Sequence, residues 1–136
     1  MDVEQVRSHF RRNHQAVLVT FRRDGRLQTS PVSVAVDREG ALVVSSRETA
    51  RKVKNLVRRP DATVCGLSDD FSGPWVQAEG QAEVVHLPDA MEPLVEYYRS
   101  VRGEHPDWDD YRSAMERDRR VLLRLTITSA GPDTAG

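Results

Sequence analysis

One dipeptide, Asp24-Gly25, set between two runs of β-forming residues, constrains this chain more than any other feature. The run Ala16-Val17-Leu18-Val19-Thr20-Phe21 is apolar and β-branched, as a buried strand requires. An Asp-Gly pair just after it suits the tight turns whose central residues take positive φ and whose twist matches the strands they join. The spacing predicts an antiparallel hairpin with a return strand over 27–36, then a turn at Asp37-Arg38-Glu39-Gly40 and a third strand over 41–46, a meander. Further strands are expected over 62–67, over 75–85 with Gly80 as a bulge or bend, and over 121–127. The stretch 68–74, rich in Asp, Ser, Gly and Pro, reads as a loop.

Helical periodicity fills the remainder. Asp2 caps a first helix whose Val3, Val6 and Phe10 share a face and which gives out at Arg11-Arg12-Asn13. A helix over 49–59 is stopped by Pro60. Over 88–119 there are two more, one with Met91, Leu94, Val95 and Tyr98 on a face, the other capped by Asp107 and carrying Trp108, Tyr111 and Met115. The fold class predicted is mainly β, a six-stranded antiparallel barrel with helices on its rim, as one domain over 1–128 followed by a disordered tail over 129–136.

Twenty basic residues stand against 21 acidic ones, which removes any global field favouring nucleic acid or an anionic membrane. No apolar run approaches the roughly 20 residues that span a bilayer, and the opening Met1-Asp2-Val3-Glu4-Gln5 has no leader pattern, so a cytoplasmic protein is expected. Cys65 has no second cysteine to bond with, and the four histidines lack zinc-site spacing, so neither disulfide nor metal is expected.

The sharpest chemical feature lies at 45–59. On a helical wheel Arg51, Lys52, Lys54, Asn55, Arg58 and Arg59 fall on one arc, and Val53, Leu56 and Val57 on the other. The hydroxyls of Ser45, Ser46 and Thr49 precede the helix, whose free N–H groups suit a phosphate. A basic face of this kind is also what plain solvated surface looks like. Trp75, after Gly73-Pro74, can edge a flat cofactor or simply join the core. There is no Gly-rich phosphate loop, nucleophile elbow or paired-carboxylate signature, and no catalytic residue is assigned; chemistry would come from a bound cofactor.

Together these segments resemble the split-barrel family of pyridoxamine phosphate oxidase, in particular its deazaflavin-dependent branch. The resemblance is carried by Asp24-Gly25-Arg26-Leu27-Gln28-Thr29-Ser30-Pro31-Val32, by Arg51-Lys52-Val53-Lys54-Asn55-Leu56-Val57-Arg58-Arg59-Pro60, and by Trp75-Val76-Gln77-Ala78-Glu79-Gly80-Gln81-Ala82. The segment Gly103-Glu104-His105-Pro106-Asp107-Trp108-Asp109-Asp110-Tyr111-Arg112 is similar to one subgroup of that branch. It implies a split barrel, a homodimer with cofactor clefts lined by both chains, and a cofactor held by Gln28, Ser30, Ser45, Ser46, Arg51, Lys52, Asn55 and Trp75, with Lys52 on its phosphate. Thr128-Ser129-Ala130-Gly131 departs from the family pattern in lacking an aromatic-containing strand extension.

The function this implies is hydride transfer between coenzyme F420 and a small unsaturated substrate, in an enzyme that mainly binds, orients and desolvates. The alternatives are an FMN-dependent oxidase or reductase of the same fold, and a non-enzymatic carrier of flavin, deazaflavin or haem. Neither nucleic acid nor membrane is an expected partner.

Overall fold

A computed structural model describes residues 1–132, and among these the elements run α1 (Val3–Arg12), β1 (Gln15–Phe21), β2 (Leu27–Ser33), β3 (Ala35–Val36), β4 (Leu42–Arg47), α2 (Arg51–Arg58), β5 (Asp61–Gly66), β6 (Val76–Val85), α3 (Met91–Arg102), α4 (Trp108–Arg117) and β7 (Arg120–Gly131). All seven strands join one antiparallel sheet in the order β2-β1-β5-β6-β7-β4-β3. The hairpin forms at Asp24-Gly25, with Gly25 at φ 87° and Phe21 opposite Leu27. No helix among the described residues is long and apolar enough to cross a membrane.

Seven strands replace the expected six because 27–36 does not run through as one. It breaks at Val34, which is fully buried. The Val34 N–H donates to the His14 carbonyl (2.8 Å), one position beyond the last β1–β2 pair, and the His14 side chain donates from Nδ1 to the Val34 carbonyl (2.8 Å), so both backbone groups at the break are satisfied. Nor is the sheet a simple meander: β2 and β3 lie at opposite ends of the strand order yet are joined by this single residue. The sheet is thereby curled into a barrel, with β2 and β4 approaching each other without ladder pairing.

The predicted tail is also corrected. β7 continues past Ile127, with Ser129, Ala130 and Gly131 opposite Glu79, Ala78 and Gln77. The register shifts between Glu79 and Gly80, at the bulge expected there, and a Cβ on Gly80 would clash with the Thr126 carbonyl oxygen. Small polar residues read as a tail in sequence become strand because β6 offers them a partner. The tail prediction for 133–136 falls outside the described residues.

Two apolar layers flank β4 and β7. Inside the barrel, Leu42, Val44, Leu123 and Leu125 meet Leu18, Val34 and Val64, with Val6 and Phe10 of α1 and Val53 and Leu56 of α2 closing the core. On the outer face, Val43 and Leu122 pack under Leu94, Val95 and Tyr111 of α3 and α4. Burial on both faces explains why 41–44 and 121–123 are continuous apolar runs. The caps predicted at Asp2 and Asp107 form: their side chains accept from the Gln5 and Asp110 amides (2.8 and 3.1 Å).

α2 is tied to β1 by polar contacts as well. The Asn55 amide Nδ2 donates to Thr20 Oγ1 (3.1 Å), both residues buried, and the Arg58 guanidinium donates to the Phe21 carbonyl. Asn55→Ala leaves a buried hydroxyl without its partner and is expected to cost about 1–3 kcal/mol, read as a lower urea midpoint with unchanged slope. His9 is buried, donates from Nε2 to the Leu67 carbonyl (3.1 Å), and has its pKa lowered chiefly by desolvation. Its neutral form is therefore favoured in the fold, so between its folded pKa and about 6.5 the unfolded chain binds more protons and stability falls with falling pH. The melting temperature of wild type should drop more steeply from pH 7 to pH 5 than that of His9→Gln; parallel curves would remove His9 as the cause.

Candidate functional site

The open side of the barrel follows from pairing. β4 pairs with β3 only at Leu42 and Val43, so 44–47 present a strand edge towards β2 with no ladder partner. On β2, Gln28 stands opposite Thr20 and Ser30 opposite Leu18, so both share the inward face and are half-buried, while the alternate residues Thr29 and Pro31 are exposed. Ser45 lies opposite Leu122 on the outer face, half-buried.

At the end of β4 the chain turns back on itself, the Ala50 N–H donating to the Arg47 carbonyl (3.1 Å), and α2 begins. Its N-cap is Ala50, which supplies no side-chain acceptor, so Ser45, Ser46 and Thr49 do not cap it and its first amides remain free. Arg51 is exposed here and Lys52 half-buried. Across from Arg47, directly paired with it on β7, stands Arg120. Burial lowers the Lys52 pKa, and the Arg120 charge lowers it further.

These cations are unpaired. Among the described residues, Arg47, Arg51, Lys52, Lys54, Arg119 and Arg120 make no ion pair; of the acids next to them in sequence, Glu48 faces His86 (3.3 Å) and Asp118 lies 3.9 Å from Arg117. Arg120 Nε is buried and has no hydrogen-bond partner. A buried donor left unsatisfied costs about 1–3 kcal/mol, and in native folds such a group calls for a specific cause, among them strain, a bound water or a bound ion. The donor set, guanidinium and ammonium with free helix amides, fits a phosphate group.

Two phenols border the region. Tyr97 donates to the Ser33 carbonyl (2.8 Å), and its pKa is raised by burial against the opposing effects of the Ser45 amide and the charges of Arg102 and Arg120. Tyr111 donates to the Leu94 carbonyl (2.8 Å), and burial, with Tyr97 next, pushes its pKa up to about 12. Both stay neutral at pH 7, so neither supplies the missing anion.

The residues named from sequence are only partly assembled. Gln28 and Ser30 stand on the inward face of β2, Ser45 on the outer face of β4, and Arg51 and Lys52 on the first turn of α2. Ser46 and Asn55 are otherwise engaged: Ser46 faces inward opposite Val121, buried, with Oγ donating to the Arg47 carbonyl (3.1 Å), and the Asn55 amide is committed to Thr20. Trp75, 37% exposed, precedes Val76, which pairs with Gly66 at the end of β6 nearest α1, whereas Leu122, near Arg120, pairs with Val85 at the other end. The ten residues of β6 span ~30 Å, so one chain does not bring Trp75 to Lys52. Sequence reasoning missed Arg47, Tyr97 and Arg120, whose convergence depends on β4 pairing with β7 across more than 70 residues.

A cavity of about 530 Å³ adjoins this region, between α3 and the outer face of β3, β4 and β7; Tyr97 and Leu122 line it, with Asp37, Glu39, Glu92 and Arg124 among others. Its charges are satisfied locally: Arg124 bonds Asp37 (2.8 Å) and Glu39 (2.7 Å), and Glu92 bonds Arg112 (2.5 Å). The unpaired cations at the open side, not this cavity, make the stronger candidate.

Comparison with known proteins agrees with this architecture. The conserved hypothetical protein Rv2991 from Mycobacterium tuberculosis superposes with a TM-score of 0.78 at 21% identity, over 96% of this chain and 82% of that one. A protein named F420 reductase gives 0.71 at 19% identity, over 91% and 94%. General Stress Protein 26 from Bacillus anthracis gives 0.66 at 14% identity, over 94% and 90%. At such identities the likeness is one of fold. Residues 3–131, nearly the whole described chain, match the family described as pyridoxamine 5'-phosphate oxidase, and the chain belongs to that family.

Proposed function

We propose that the chain is an oxidoreductase that holds coenzyme F420 along its open side, between β2, β4 and α2, and exchanges hydride with a small unsaturated organic substrate. The observation that carries the reading is the set of unpaired cations at that side, capped by the partnerless buried Nε of Arg120. Membership of an oxidase family and a fold shared with a protein named F420 reductase support it. When bound, a reduced deazaflavin supplies hydride from a ring carbon.

The chain's own residues bind and orient. Lys52 and Arg51 hold the phosphate by charge-assisted hydrogen bonds, and the free amides at the start of α2 add donors. Gln28 and Ser30 line the β2 side of the ring system and Ser45 the β4 side. Asn55 acts at one remove, fixing α2 on β1 so that Lys52 is held in place. Because Trp75 is remote in one chain, a wall built from it requires a second copy, and a homodimer with clefts between subunits is part of the proposal.

FMN also carries a phosphate on its ribityl chain, a monoester where F420 has a diester, and the family description favours it as the second reading. A carrier would bind either cofactor without turnover. Titrating the apo-protein with F420 and with FMN, following cofactor fluorescence, separates the two cofactors, and turnover with an unsaturated substrate separates enzyme from carrier: tighter F420 binding is expected, and the reverse order assigns the chain to FMN. Lys52→Ala should weaken the preferred cofactor by about 1.5–3 kcal/mol, roughly 10- to 150-fold. Unchanged affinity would move the phosphate elsewhere, and binding of neither cofactor by wild type would end the enzyme reading.

A further inference from the structure

We propose that Arg120 is a second anion ligand at this site, its guanidinium on β7 and the Lys52 ammonium on α2 closing on one and the same phosphate-type oxyanion. The identity of the anion as part of a cofactor rests on the function proposed above; the pairing of Arg120 with Lys52 does not.

Three observations converge. Arg120 Nε–H is buried without an acceptor, and a guanidinium offers five donors and no acceptor, so it cannot satisfy itself. The acceptors nearby in the chain are engaged: Glu48 with His86, Asp118 beside Arg117, and the Arg119 carbonyl with the Glu48 N–H. Arg120 stands directly opposite Arg47 in the β4–β7 register, where like charges repel. The Ala50 N–H to Arg47 carbonyl bond then folds the first turn of α2 back onto the end of β4, bringing Lys52 within range of Arg120's charge.

Three cations thus approach one another from β4, β7 and α2 with no carboxylate between them, an arrangement that opposes folding on its own. One oxyanion reverses its sign. A phosphate suits better than a carboxylate, because its tetrahedral oxygens accept from a planar fork and a point ammonium at once. Tyr97, Tyr111 and Arg102 face the same region, and none supplies an anion at pH 7. Arg120 would therefore discriminate between phosphorylated and unphosphorylated ring compounds, with Lys52 as its partner.

The test uses the full chain, with inorganic phosphate as one probe and F420 and FMN as others, on wild type, Arg120→Gln, Arg120→Lys, Lys52→Gln and the Arg120→Gln/Lys52→Gln double variant. Phosphate binding is read by ³¹P line broadening and thermal shift, and the Lys52 titration by NMR. Expected are a saturable phosphate effect in wild type, a loss of about tenfold or more in each glutamine variant, and a double variant that loses less than the product of the two, as residues sharing a partner do. Phosphate should raise the Lys52 pKa in wild type and less in Arg120→Gln. Arg120→Lys, which keeps the charge but not the fork, should recover part of the loss, and it stands in should the glutamine variant fail to fold. Undiminished affinity for phosphate and cofactor in the Arg120 variants, or strictly multiplicative losses, overturns the proposal while leaving the cofactor reading intact. Phosphate bound through both residues with neither cofactor bound upholds the seat and removes the cofactor reading. A wild type that binds none of the three overturns both.

Discussion

The reciprocal pair of hydrogen bonds between His14 and the backbone of Val34 sets the geometry on which everything else rests. Had 27–36 run through as one strand, β4 would have followed it as the next strand of a flat meander. With its N–H on the His14 carbonyl, at the end of the β1–β2 register, and its carbonyl on the His14 side chain, Val34 lets the chain change direction without an unpaired buried amide. The apolar Val34 side chain drops into the barrel core, and β2 and β3 diverge to the two ends of the strand order. A closed core and an open side thus have one cause: only two residues of β3 are left to pair with β4, so most of β4 keeps a free edge.

That free edge coincides with the end of the barrel where α2 begins. Strand direction fixes which residues meet there: β4 arrives with Arg47, β7 departs with Arg120, and α2 starts within one turn. β4 and β7 have no freedom to shift register, since a slip by one residue would exchange Val43 and Leu122 under α3 with Leu42, Val44 and Leu123 in the barrel. The two-layered core therefore holds the opposed arginines in place despite their repulsion.

Local signals were legible in the sequence and long-range ones were not. The Asp24-Gly25 hairpin, the Asp2 and Asp107 caps and the Gly80 bulge each depend on residues within a few positions. The break at Val34 was missed because its cause is His14, on the far side of the hairpin. Ser129-Ala130-Gly131 read as tail because their strand character comes from β6. Asn55 sat on the cationic arc of the wheel, and only packing shows that its amide turns inward to Thr20. Arg120 is one of many arginines in the sequence; what sets it apart is the buried Nε without a partner, a property no single segment carries.

The near-neutral total charge hides this asymmetry. Many of the acids are spent elsewhere: Glu4 on Arg11, Asp37 and Glu39 on Arg124, Asp61 on Arg59, Glu92 on Arg112 and Glu96 on Arg99. Most of these pairs lie at the surface, where each contributes little to stability, but together they leave positive charge uncompensated at one end of the barrel. An anion that binds there meets cations whose mutual repulsion has already been absorbed in folding. Its binding free energy is then linked to stability, which rises with occupancy as RT ln(1 + [L]/Kd). If the proposed anion binds there, the local excess of cations makes stability depend on its occupancy.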